Sequence, residues 1–442
     1  TISYNTAANL RGQFHIPAFL ADVRCVLTNK TPNTPVRGAG RPEAVFVIDR
    51  VVDMIAAELA MDPADVRFVN LVPAEAMPYD SGMLYRDGVQ MVYDSGDYPA
   101  QLRRALDVID YAGWRKRQRE TPSGKRRIGI GISAHLEGSG IGPFEGASVR
   151  VDATGRLVVH SGSNPHGQGH ETTLAQVCVD VFGVTPDDVS VHAGDTALIP
   201  FGGGTNASRS AVTAGSAVHV AADTVREKVR AVAGAVLEIS PEDLVVSEGL
   251  VHPIGAPSQS MTLAEVAAAV APQGSLVTTG TFEAGLDAVE YFHPPTVTFA
   301  SGTHLAVVEV DIETGGVRIL DYVIVDDCGR AMNPTIVDGQ QHGGVAHGIG
   351  QTLFEEAVYN EDGQMTTGTM MDYLLPSPTE VPNMTVVHEN HPTPLNPLGV
   401  KGIGEGGTTS APGAIINAIA DALGPEFVLT KVPVRPADLV HL

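Results

Sequence analysis

The chain has 442 residues, 43% of them hydrophobic, which is enough to bury cores for two or three domains of ordinary size. Its 28 basic and 51 acidic residues give a formal net charge of -23, which opposes attraction to nucleic acid and to anionic membrane surfaces. No apolar run approaches the roughly 20 residues that a membrane span needs. The cysteines at 25, 178 and 328 form no CxxC pair, so the composition predicts a cytoplasmic globular protein without a disulfide framework, a zinc site or an iron–sulfur site.

The first part of the chain has the pattern of an α/β domain. A helix is predicted over Pro42–Leu59, because apolar residues recur there at three- and four-residue spacing and indicate one buried face. Those residues are Ala44, Val45, Ile48, Val51, Val52, Ile55 and Leu59. A turn and a short helix follow over 61–75, and a further helix over 101–118. The basic, turn-rich stretch RETPSGKRR at 119–127 predicts a boundary between a domain over 1–120 and a second over 128–442.

After that boundary, short apolar runs broken by glycine predict strands joined by turns. Helices are predicted over 169–182 and 208–237, and a hairpin over 303–329 that turns at 314–316. Two more helices fit 337–357 and 410–423, and the second domain is predicted to divide into subdomains near 240–290. The resulting fold class is α+β, with mixed sheets flanked by helices.

The 48 glycines lie in clusters inside otherwise structured regions, which is unlike their spread in a flexible linker. Glycine permits positive φ and allows a ligand to approach the main chain closely, so the clusters predict a large, polar, buried ligand. Tight packing of helices against sheets explains any single cluster equally well. The clusters are Gly38 and Gly40, Gly167 and Gly169, Gly202–Gly204, Gly343 and Gly344, and 402–407.

A single carboxylate, Glu405, stands among glycines in the segment Pro397–Leu423, directly before a helix. The N-terminus of a helix presents backbone N–H groups and the positive end of the dipole, which suit a phosphate or another oxyanion. With Thr408, Thr409 and Ser410 in its first turn, the segment predicts a base beside a phosphorylated cofactor. The alternative is an ordinary capped helix after a flexible loop.

Two further segments lead from glycine-rich loops into helices. In Ser163–Gly183, Gln168 lies between two glycines and is predicted to direct its amide toward a ligand. His166 and His170 are not interpreted as metal ligands, because the intervening glycines break helical geometry. In 194–210, a second oxyanion contact is predicted at the helix start; the polar residues there are Thr205, Ser208, Arg209 and Ser210.

Two common nucleotide sites are disfavoured by the same glycine-rich segments. The chain contains no GxxxxGK[ST] motif, which argues against a P-loop. The segment GIGEGG at 402–407 has the glycine spacing of a dinucleotide-binding turn, but Glu405 within it would repel a pyrophosphate.

Five segments resemble, in order, the molybdenum-binding subunit of the xanthine dehydrogenase and aldehyde oxidase family. The resemblance covers nearly the whole chain and implies the C-terminal half of such a subunit, with molybdopterin-binding domains. The segments are TPNTPVRGAGRPEA at 31–44, GQGHETTLAQ at 167–176, GTNASRS at 204–210, VEVDIETGGVRILDYVIVDDCGRAMNPTIVDGQQHGGVAHGIG at 308–350 and GVKGIGEGG at 399–407.

The resemblance implies roles for individual residues. Glu405 matches the glutamate that serves this family as general base toward the oxygen nucleophile activated by the metal. Gln168 matches the glutamine beside the oxo group of the metal, and Arg37 matches an arginine that orients or polarises the substrate. For Arg37, an ion pair with Glu43 at the helix start is the alternative. The residues implied to line a pterin dinucleotide, in its cytosine form, are Gly167, Gln168, Gly169, Ala207, Ser208, Ser210, Gln340, Lys401, Ile403 and Gly404.

The implied function is oxidation of an aldehyde, or hydroxylation of an N-heterocyclic aromatic, with water as the oxygen source. Family members that oxidise carbon monoxide carry a cysteine in the loop after the arginine, where this chain reads Arg37, Gly38, Ala39, Gly40 and Arg41, so that reaction is not expected. The alternative function is a non-catalytic scaffold that kept the fold, which the presence of Glu405, Gln168 and Arg37 disfavours.

The resemblance also implies partners. Separate iron–sulfur and FAD subunits are expected to hold the 2Fe–2S clusters and the flavin. A second polypeptide is expected to supply the N-terminal half of the family's molybdenum subunit, whose GGxFG-type loop is absent from this sequence.

Substrate identity does not follow from the sequence. The candidates for a pocket wall are Phe144, Glu145, Phe201 and Tyr373. For His135 and Glu137 a satisfied surface pair is favoured, and the alternative is that they face the pocket.

Overall fold

The computed structural model describes residues 2–85, 88–121 and 124–440. In chain order its helices are α1 (Ile2–Asn9), α2 (Arg41–Leu59), α3 (Pro63–Asn70), α4 (Tyr98–Val108), α5 (Tyr111–Glu120), α6 (His170–Phe182), α7 (Ser210–Leu237), α8 (Leu263–Ala269), α9 (Ser275–Thr278), α10 (Pro334–Leu353) and α11 (Gly406–Leu423). Its strands are β1 (Tyr79–Leu84), β2 (Gln90–Tyr93), β3 (Arg126–Ser139), β4 (Glu145–Val151), β5 (Leu157–Ser161), β6 (Val189–Ala193), β7 (Leu244–Ser247), β8 (Leu250–Pro253), β9 (Met261–Thr262), β10 (Leu286–Phe292), β11 (Thr298–Asp311), β12 (Gly316–Asp327) and β13 (Thr385–Glu389). The predicted α+β class with mixed sheets is confirmed.

The chain forms two compact units. Unit 1 comprises Thr1–Ser139, Thr298–Thr393 and Lys401–Leu442, and unit 2 comprises Gly140–Val297 and Pro394–Val400. These units are drawn differently from the predicted domains, because β3 pairs with β11 along its whole length and so belongs to unit 1. The domain division at 120–128 and the break near 240–290 stay predictions. Pro122 and Ser123, inside the predicted boundary stretch, lie outside the described residues.

Unit 1 is built on a sheet with the order β13-β12-β11-β3, in which only the β12–β13 pairing is parallel among the described strands. Strands β11 and β12 form the predicted hairpin. Helix α11 packs on β3 and β11, and apart from Asp421 all of its residues are buried. Each large aliphatic side chain buried in this way contributes about 1.5–3 kcal/mol. The apolar core between α11, α10 and the sheet therefore holds the start of α11 in a defined position.

The predicted buried face of α2 is only partly correct. Val45 and Val52 are buried, whereas Val51, Ile55 and Leu59 are 43%, 44% and 58% exposed. The helix turns a second apolar stripe outward, because its inward face also carries the buried charges of Asp49 and Arg50.

The single helix predicted over 101–118 is wrong. Two helices, α4 and α5, occupy 98–120, and Asp110 between them has a left-handed conformation with φ 56°. The Asp110 side chain accepts a hydrogen bond from the Gly113 N–H at 3.2 Å and so caps α5. The apolar periodicity continues across the junction, but the helical conformation of the backbone is interrupted there.

Unit 2 contains a sheet with the order β10-β4-β5-β6, in which the β5–β6 pairing is parallel and the other two are antiparallel. Helices α6 and α7 pack against each other, and α7 also packs on β4 and β10. A smaller antiparallel sheet is formed by β7, β8 and β9. Both predicted helices of this region are confirmed. No helix within the described ranges combines the length and apolar character needed to cross a bilayer.

Candidate active site

In unit 1, Glu405 occupies the position immediately before α11 and is mostly buried, with 12% of its side chain exposed. Its Oε2 accepts a charged hydrogen bond from Arg41 Nη1 at 2.7 Å, and its Oε1 accepts one from the Gly38 N–H at 3.0 Å. Burial by itself raises the pKa of Glu405. The charge of Arg41 and the hydrogen bonds from Gly38 and Arg41 outweigh burial and hold that pKa below its usual range. Glu405 is thus an ionised carboxylate at a helix N-terminus.

Arg41 is the residue that organises this carboxylate. Its guanidinium is fully buried at the start of α2, where it also donates to Tyr85 Oη at 3.1 Å and to the Gly138 carbonyl at 2.6 Å. Burial opposes the charge of Arg41, but Tyr85, Glu405 and Glu137 raise its pKa, so it remains charged. Sequence reasoning did not single out Arg41. Its position in the RGAGRPEA segment, at a helix start preceded by glycines, was the available signal.

The interpretation of His135 and Glu137 as a surface pair is wrong. Both side chains are fully buried on β3. His135 Nδ1 lies 2.8 Å from Ser410 Oγ, and burial together with the charge of Arg41 lowers the pKa of His135 to about 3. The negative charge of Glu137 acts on Arg37 and Arg41 and raises the pKa of both guanidinium groups. Polar residues alternate with apolar ones along this part of β3, and α11 covers the polar side.

Arg37 ties the loop before α11 to α10. Its Nε donates to the Gly404 carbonyl at 2.6 Å, and its Nη2 donates to the carbonyl and Oε1 of Gln340 at 2.9 and 3.2 Å. Glu43, the alternative partner, is not among the residues that Arg37 contacts in the described part of the chain. Burial lowers the pKa of Arg37, against the opposing effects of Glu137 and Glu405. The structure therefore brings together three predicted residues, Arg37, Gln340 and Gly404, beside Glu405.

The first-turn hydroxyls of α11 do not fit the predicted oxyanion contact. Thr408 Oγ1 donates to the Gly344 carbonyl, Thr409 Oγ1 donates to the Glu405 carbonyl, and Ser410 contacts His135. All three residues are fully buried, so their hydroxyls serve the interior of the protein. The backbone N–H groups of Thr408 and Thr409 donate to the Glu405 carbonyl.

Lys401 and Ile403 lie in the loop that leads to Glu405, and both are buried. Lys401 Nζ is 2.8 Å from Asp327 Oδ2 in a fully buried ion pair and 3.3 Å from the Ser95 carbonyl. The Lys401 ammonium group thus already bonds groups of the protein. Its predicted contact with a cofactor would therefore be made by the Lys401 main chain. That role, like the role of Ile403, stays a prediction.

Two of the candidates for a pocket wall have different outcomes: burial excludes Glu145, whereas Tyr373 contacts a residue that lines a cavity. Glu145 is fully buried in an ion pair, so it lines no open surface. Tyr373 Oη donates to Glu355 Oε2 at 2.7 Å, and Glu355 lines a cavity of about 550 Å³ together with His347. Burial lowers the pKa of His347, and the positive charge of Arg37 lowers it further against the opposing effect of Glu355.

In unit 2, the loop before α6 contains the predicted Gly167, Gln168 and Gly169. Gly167 has φ 113° and Gly169 has φ 72°, both in the left-handed region that favours glycine. No other group lies within 4 Å of the point where a side chain on Gly167 would begin, so the backbone is open to a ligand there. The Gln168 Oε1 accepts from the His166 N–H, which turns part of the amide back onto its own loop.

The loop before α7 is strained. Ala207 and Ser208 are consecutive non-glycine residues with φ 48° and 50°. Such conformations cost about 1–3 kcal/mol each and persist only where the surroundings enforce them. The Ser210 hydroxyl at the helix start is 2.7 Å from Ser163 Oγ and 3.3 Å from Thr205 Oγ1, which adds a cluster of hydroxyl groups.

A buried ion pair enforces this loop. Arg209 Nη1 lies 2.6 Å from Glu145 Oε2 and donates to the Gly204 carbonyl at 2.8 Å. The same carboxylate oxygen accepts from the Gly204 N–H at 3.0 Å. Arg209 also donates to the carbonyls of Ile141 and Phe144. An open glycine turn, two strained residues and a hydroxyl cluster, held by a buried ion pair, suit a phosphate-bearing ligand.

Comparison with known proteins identifies the family. A model of the molybdopterin cofactor-binding domain matches residues 104–382, and a second model of the same description matches residues 1–71. The chain belongs to the molybdopterin cofactor-binding domain family. The predicted family resemblance is thereby confirmed.

Relatives and a solved structure agree with this. The chain is 36% identical to the 6-hydroxypseudooxynicotine dehydrogenase complex subunit gamma of Paenarthrobacter nicotinovorans, over 99% of this chain and 55% of that protein. It is 34% identical to the carbon monoxide dehydrogenase large chain of Hydrogenophaga pseudoflava, over 97% and 54%. The crystal structure of quinoline 2-oxidoreductase from Pseudomonas putida 86 matches with a TM-score of 0.90 and 36% identity, over 99% of this chain and 56% of that one. The chain spans about half the length of the relatives it matches.

Proposed function

We propose that this chain forms part of the active site of a molybdenum hydroxylase, with Glu405 as the base. The observation that carries the proposal is the ionised Glu405 carboxylate, held by Arg41 and Gly38 at the head of a buried helix. A carboxylate placed in this way in a molybdopterin-binding chain can accept a proton next to the cofactor.

The proposed cofactor is a pterin dinucleotide that carries molybdenum. In unit 2, the loops before α6 and α7 bind the phosphate-bearing part of a pterin dinucleotide through Gly167, Gln168, Gly169, Ala207, Ser208 and Ser210. In unit 1, the contacts come from Gln340, Lys401, Ile403 and Gly404. The cytosine form of the dinucleotide is part of this proposal. When bound, the molybdenum cofactor supplies the redox centre that takes two electrons from the substrate and activates the oxygen derived from water.

The residues of the chain then have defined tasks. Glu405 accepts the proton of the attacking water at its carboxylate, and Arg41 keeps that carboxylate ionised and oriented. Arg37 fixes the Gly404 backbone and carries a positive charge near the substrate. In balance, a substrate C–H and one water give the hydroxylated product, two protons and two electrons, and the electrons leave through iron–sulfur and FAD partner subunits.

The proposed substrate is an N-heterocyclic aromatic or an aldehyde. The similarity to quinoline 2-oxidoreductase, whose name refers to an N-heterocycle, supports the first class. Carbon monoxide is not proposed, although a carbon monoxide dehydrogenase large chain is among the relatives, because the loop after Arg37 lacks the cysteine that is expected for that reaction.

The proposed partners include the rest of a molybdenum subunit. The outward stripe on α2, made of Val47, Val51, Met54, Ile55 and Leu59, is 43–58% exposed at each residue. Apolar side chains exposed together along one helix face are typical of a surface that packs against protein. The half of the relatives that this chain does not span is the proposed occupant. A cytoplasmic location is proposed with it.

Elemental and subunit analysis tests the proposal. The complex is purified through this chain from its native host, and metals, flavin and companion chains are quantified. We expect about one molybdenum per copy, together with iron, FAD and companion chains, and turnover with members of a panel of N-heterocycles and aldehydes. If the chain were isolated alone and metal-free under gentle conditions, the catalytic proposal would be wrong and the scaffold function would replace it.

A further inference from the structure

The cavity that contains Glu355 and His347 lies beside the C-terminal part of α10, within unit 1. Its volume of about 550 Å³ is in the range of small-molecule sites. A site of this kind has apolar walls and a few polar groups that fix the orientation of the ligand. Here the apolar walls include Leu375, Pro376, Pro378 and Val381, and the ionisable groups are His347 and Glu355.

The cavity begins about one helical turn from the Arg37 side chain. Arg37 Nη1 lies 3.4 Å from the point at which a side chain on Gly343 would begin. His347 is four residues farther along α10, which corresponds to about 6 Å along the helix axis. Arg37 also donates to the carbonyl of Gly404, the residue before Glu405. A molecule in the cavity can therefore extend along α10 toward the candidate active site.

The structure fixes the orientation of the Glu355 carboxylate. Its Oε2 accepts a hydrogen bond from Tyr373 Oη at 2.7 Å. Its Oε1 lies 2.0 Å from the point at which a side chain on Gly350 would begin, so a larger residue at 350 would displace the carboxylate. The Glu355 N–H donates to the Gly350 carbonyl at 2.8 Å. Glu355 is thus held through both carboxylate oxygens and through its main chain.

Glu355 has no positively charged partner among the residues that the structure describes. The next residue, Glu356, is exposed and pairs with Arg435, whereas Glu355 is half-buried against the cavity and forms no ion pair there. Removing a carboxylate from water without a counter-charge is unfavourable, and an approaching cation offsets that cost. The position of Glu355 therefore favours a ligand with a positive charge.

His347 lies between the two charged ends of this region, Arg37 and Glu355. Burial lowers the pKa of His347, and Arg37 lowers it further against the effect of Glu355, so the imidazole is neutral near pH 7. A neutral imidazole has one nitrogen that donates and one that accepts, and it does not repel a cation. His347 therefore adds a hydrogen-bonding group to the cavity without cancelling the charge of Glu355.

We propose that the cavity binds the positively charged end of the substrate, an ammonium group on a chain attached to the N-heterocyclic ring, through Glu355. Arg37 repels this group and Glu355 attracts it, so the uncharged ring is directed toward Arg37 and Glu405. The net charge of -23 favours the approach of a cation. Binding of the cation stands on the cavity alone, whereas its effect on a reaction rests on the proposed function. Glu355 is then a specificity-determining residue.

Steady-state kinetics of the purified complex with two quinolines tests the orientation. One quinoline carries an aminopropyl chain, and the other carries a butyl chain of the same length without the charge. The wild type should prefer the aminopropyl compound. In Glu355→Gln, the ratio of kcat/KM for the aminopropyl compound to that for the butyl compound should fall by roughly 10- to 100-fold, mainly through KM. An unchanged ratio would contradict the proposal.

Glu356→Gln is the matched control. It removes a carboxylate from the next residue, which pairs with Arg435 outside the cavity, and it should keep the wild-type ratio. An equal fall in both variants would mean that the general negative charge of the protein, and not Glu355, selects the cation.

Isothermal titration calorimetry with phenylpropylamine tests the binding of a cation without turnover. Phenylpropanol, which has the same length and no charge, is the control ligand. The amine should bind the wild-type complex more tightly than the alcohol does, and its affinity should fall by roughly 10-fold or more in Glu355→Gln. Equal affinities of wild type and Glu355→Gln would overturn the proposal. An amine that does not bind the wild-type complex would overturn it too, because a companion chain then fills the cavity.

Tyr373→Phe guards against failure of Glu355→Gln to fold. It removes the hydroxyl that holds Glu355 but keeps the negative charge, so the affinity for phenylpropylamine should fall by about 2- to 10-fold. An unchanged affinity in Tyr373→Phe would contradict the orientation of Glu355 that the proposal requires. If the complex turns over no substrate, the proposed function fails, while calorimetry still decides whether the cavity binds a cation.

Discussion

The segments that lead into α11 and α7 present different kinds of chemical group. In front of α11, the chemically important group is a side chain, Glu405, and its charge is balanced by a buried arginine from another helix. In front of α7, the important groups are main-chain atoms and small hydroxyls of the strained 207–208 turn. The buried arginine next to this turn, Arg209, pairs with Glu145 and not with the chemically important groups.

The difference separates two ways in which a site can fail. A change to Glu405 removes a proton acceptor, and Arg41 then loses its counter-charge but keeps its hydrogen bonds to Tyr85 and to the Gly138 carbonyl. A change to Arg209 leaves a buried negative charge without its partner and releases the loop. The first should abolish chemistry with the cofactor still present, whereas the second should reduce both stability and cofactor content.

The largest expected effect is that of Glu405→Gln. The amide keeps the size of the side chain but cannot accept the proton, so turnover in the assembled complex should fall by about 10²–10⁴-fold. Molybdenum content should remain that of the wild type. Steady-state kinetics and metal analysis of the same preparation measure both. Unchanged turnover would favour the scaffold function.

Arg209→Met tests the other helix start. Glu145 would be left buried without its counter-charge, at a cost of about 3–5 kcal/mol in the free energy of unfolding. Urea unfolding measures the loss, and metal analysis should show a reduced molybdenum content. The control is Arg226→Met on the same helix, whose pair with Asp223 is partly exposed and worth at most about 1 kcal/mol. Equal effects of the two changes would contradict the role assigned to Arg209.

Gly131→Ala tests how closely α11 packs against β3. The new methyl group would begin 2.0 Å from the Ala414 carbonyl, so the helix has to move away from β3. Overpacking of this kind costs about 1–3 kcal/mol, which a thermal melt detects as a lower Tm. In Gly339→Ala on α10, the added methyl group meets nothing within 4 Å, and the helix should gain up to about 1 kcal/mol. A Tm unchanged in Gly131→Ala would mean that α11 is less tightly held than its contacts indicate.

The smallest effect concerns His388, which bridges Asp326 at 2.6 Å and Asp338 at 2.9 Å in unit 1. The hydrogen bond to Asp326 and the nearby carboxylates raise the pKa of His388 from 6.5 to about 9, despite the opposing effect of burial. Its folded-state pKa exceeds its unfolded value. The stabilisation is therefore complete below about 6.5 and is lost as pH rises through about 9.

Urea unfolding of wild type and His388→Gln at pH 6 and pH 10 measures this dependence. The difference in free energy of unfolding between the two proteins should shrink at the higher pH. A difference that stays constant between the two pH values would show that His388 is not charged in the folded protein.

The features that were predicted correctly are mainly those that depend on residues close together in the sequence. Long helices such as α6 and α7 and the β11–β12 hairpin were predicted, because local periodicity and turn residues determine them. The junction at Asp110 was missed, since one left-handed residue ends a helix without changing the apolar pattern. Glu405 was found because an isolated carboxylate among glycines is visible in the sequence.

Arg41 and Glu137 could not be found in that way. Arg41 lies 364 residues from the carboxylate that it holds, and no local pattern relates the two. Along β3, Ser133, His135 and Glu137 alternate with apolar residues, which usually indicates a solvated face. The meaning of such a pattern depends on what covers the strand.

The sequence by itself determined the family, the α+β class, most helix positions and the identity of the central carboxylate, since motifs and periodicity are local. Only the tertiary structure decided that Glu405 is ionised against Arg41 and that Glu137 is buried. It also decided that the first-turn hydroxyls of α11 serve the interior. Protonation and hydrogen bonding depend on the distances and dielectric surroundings of groups far apart in the chain, and folding alone brings those groups together.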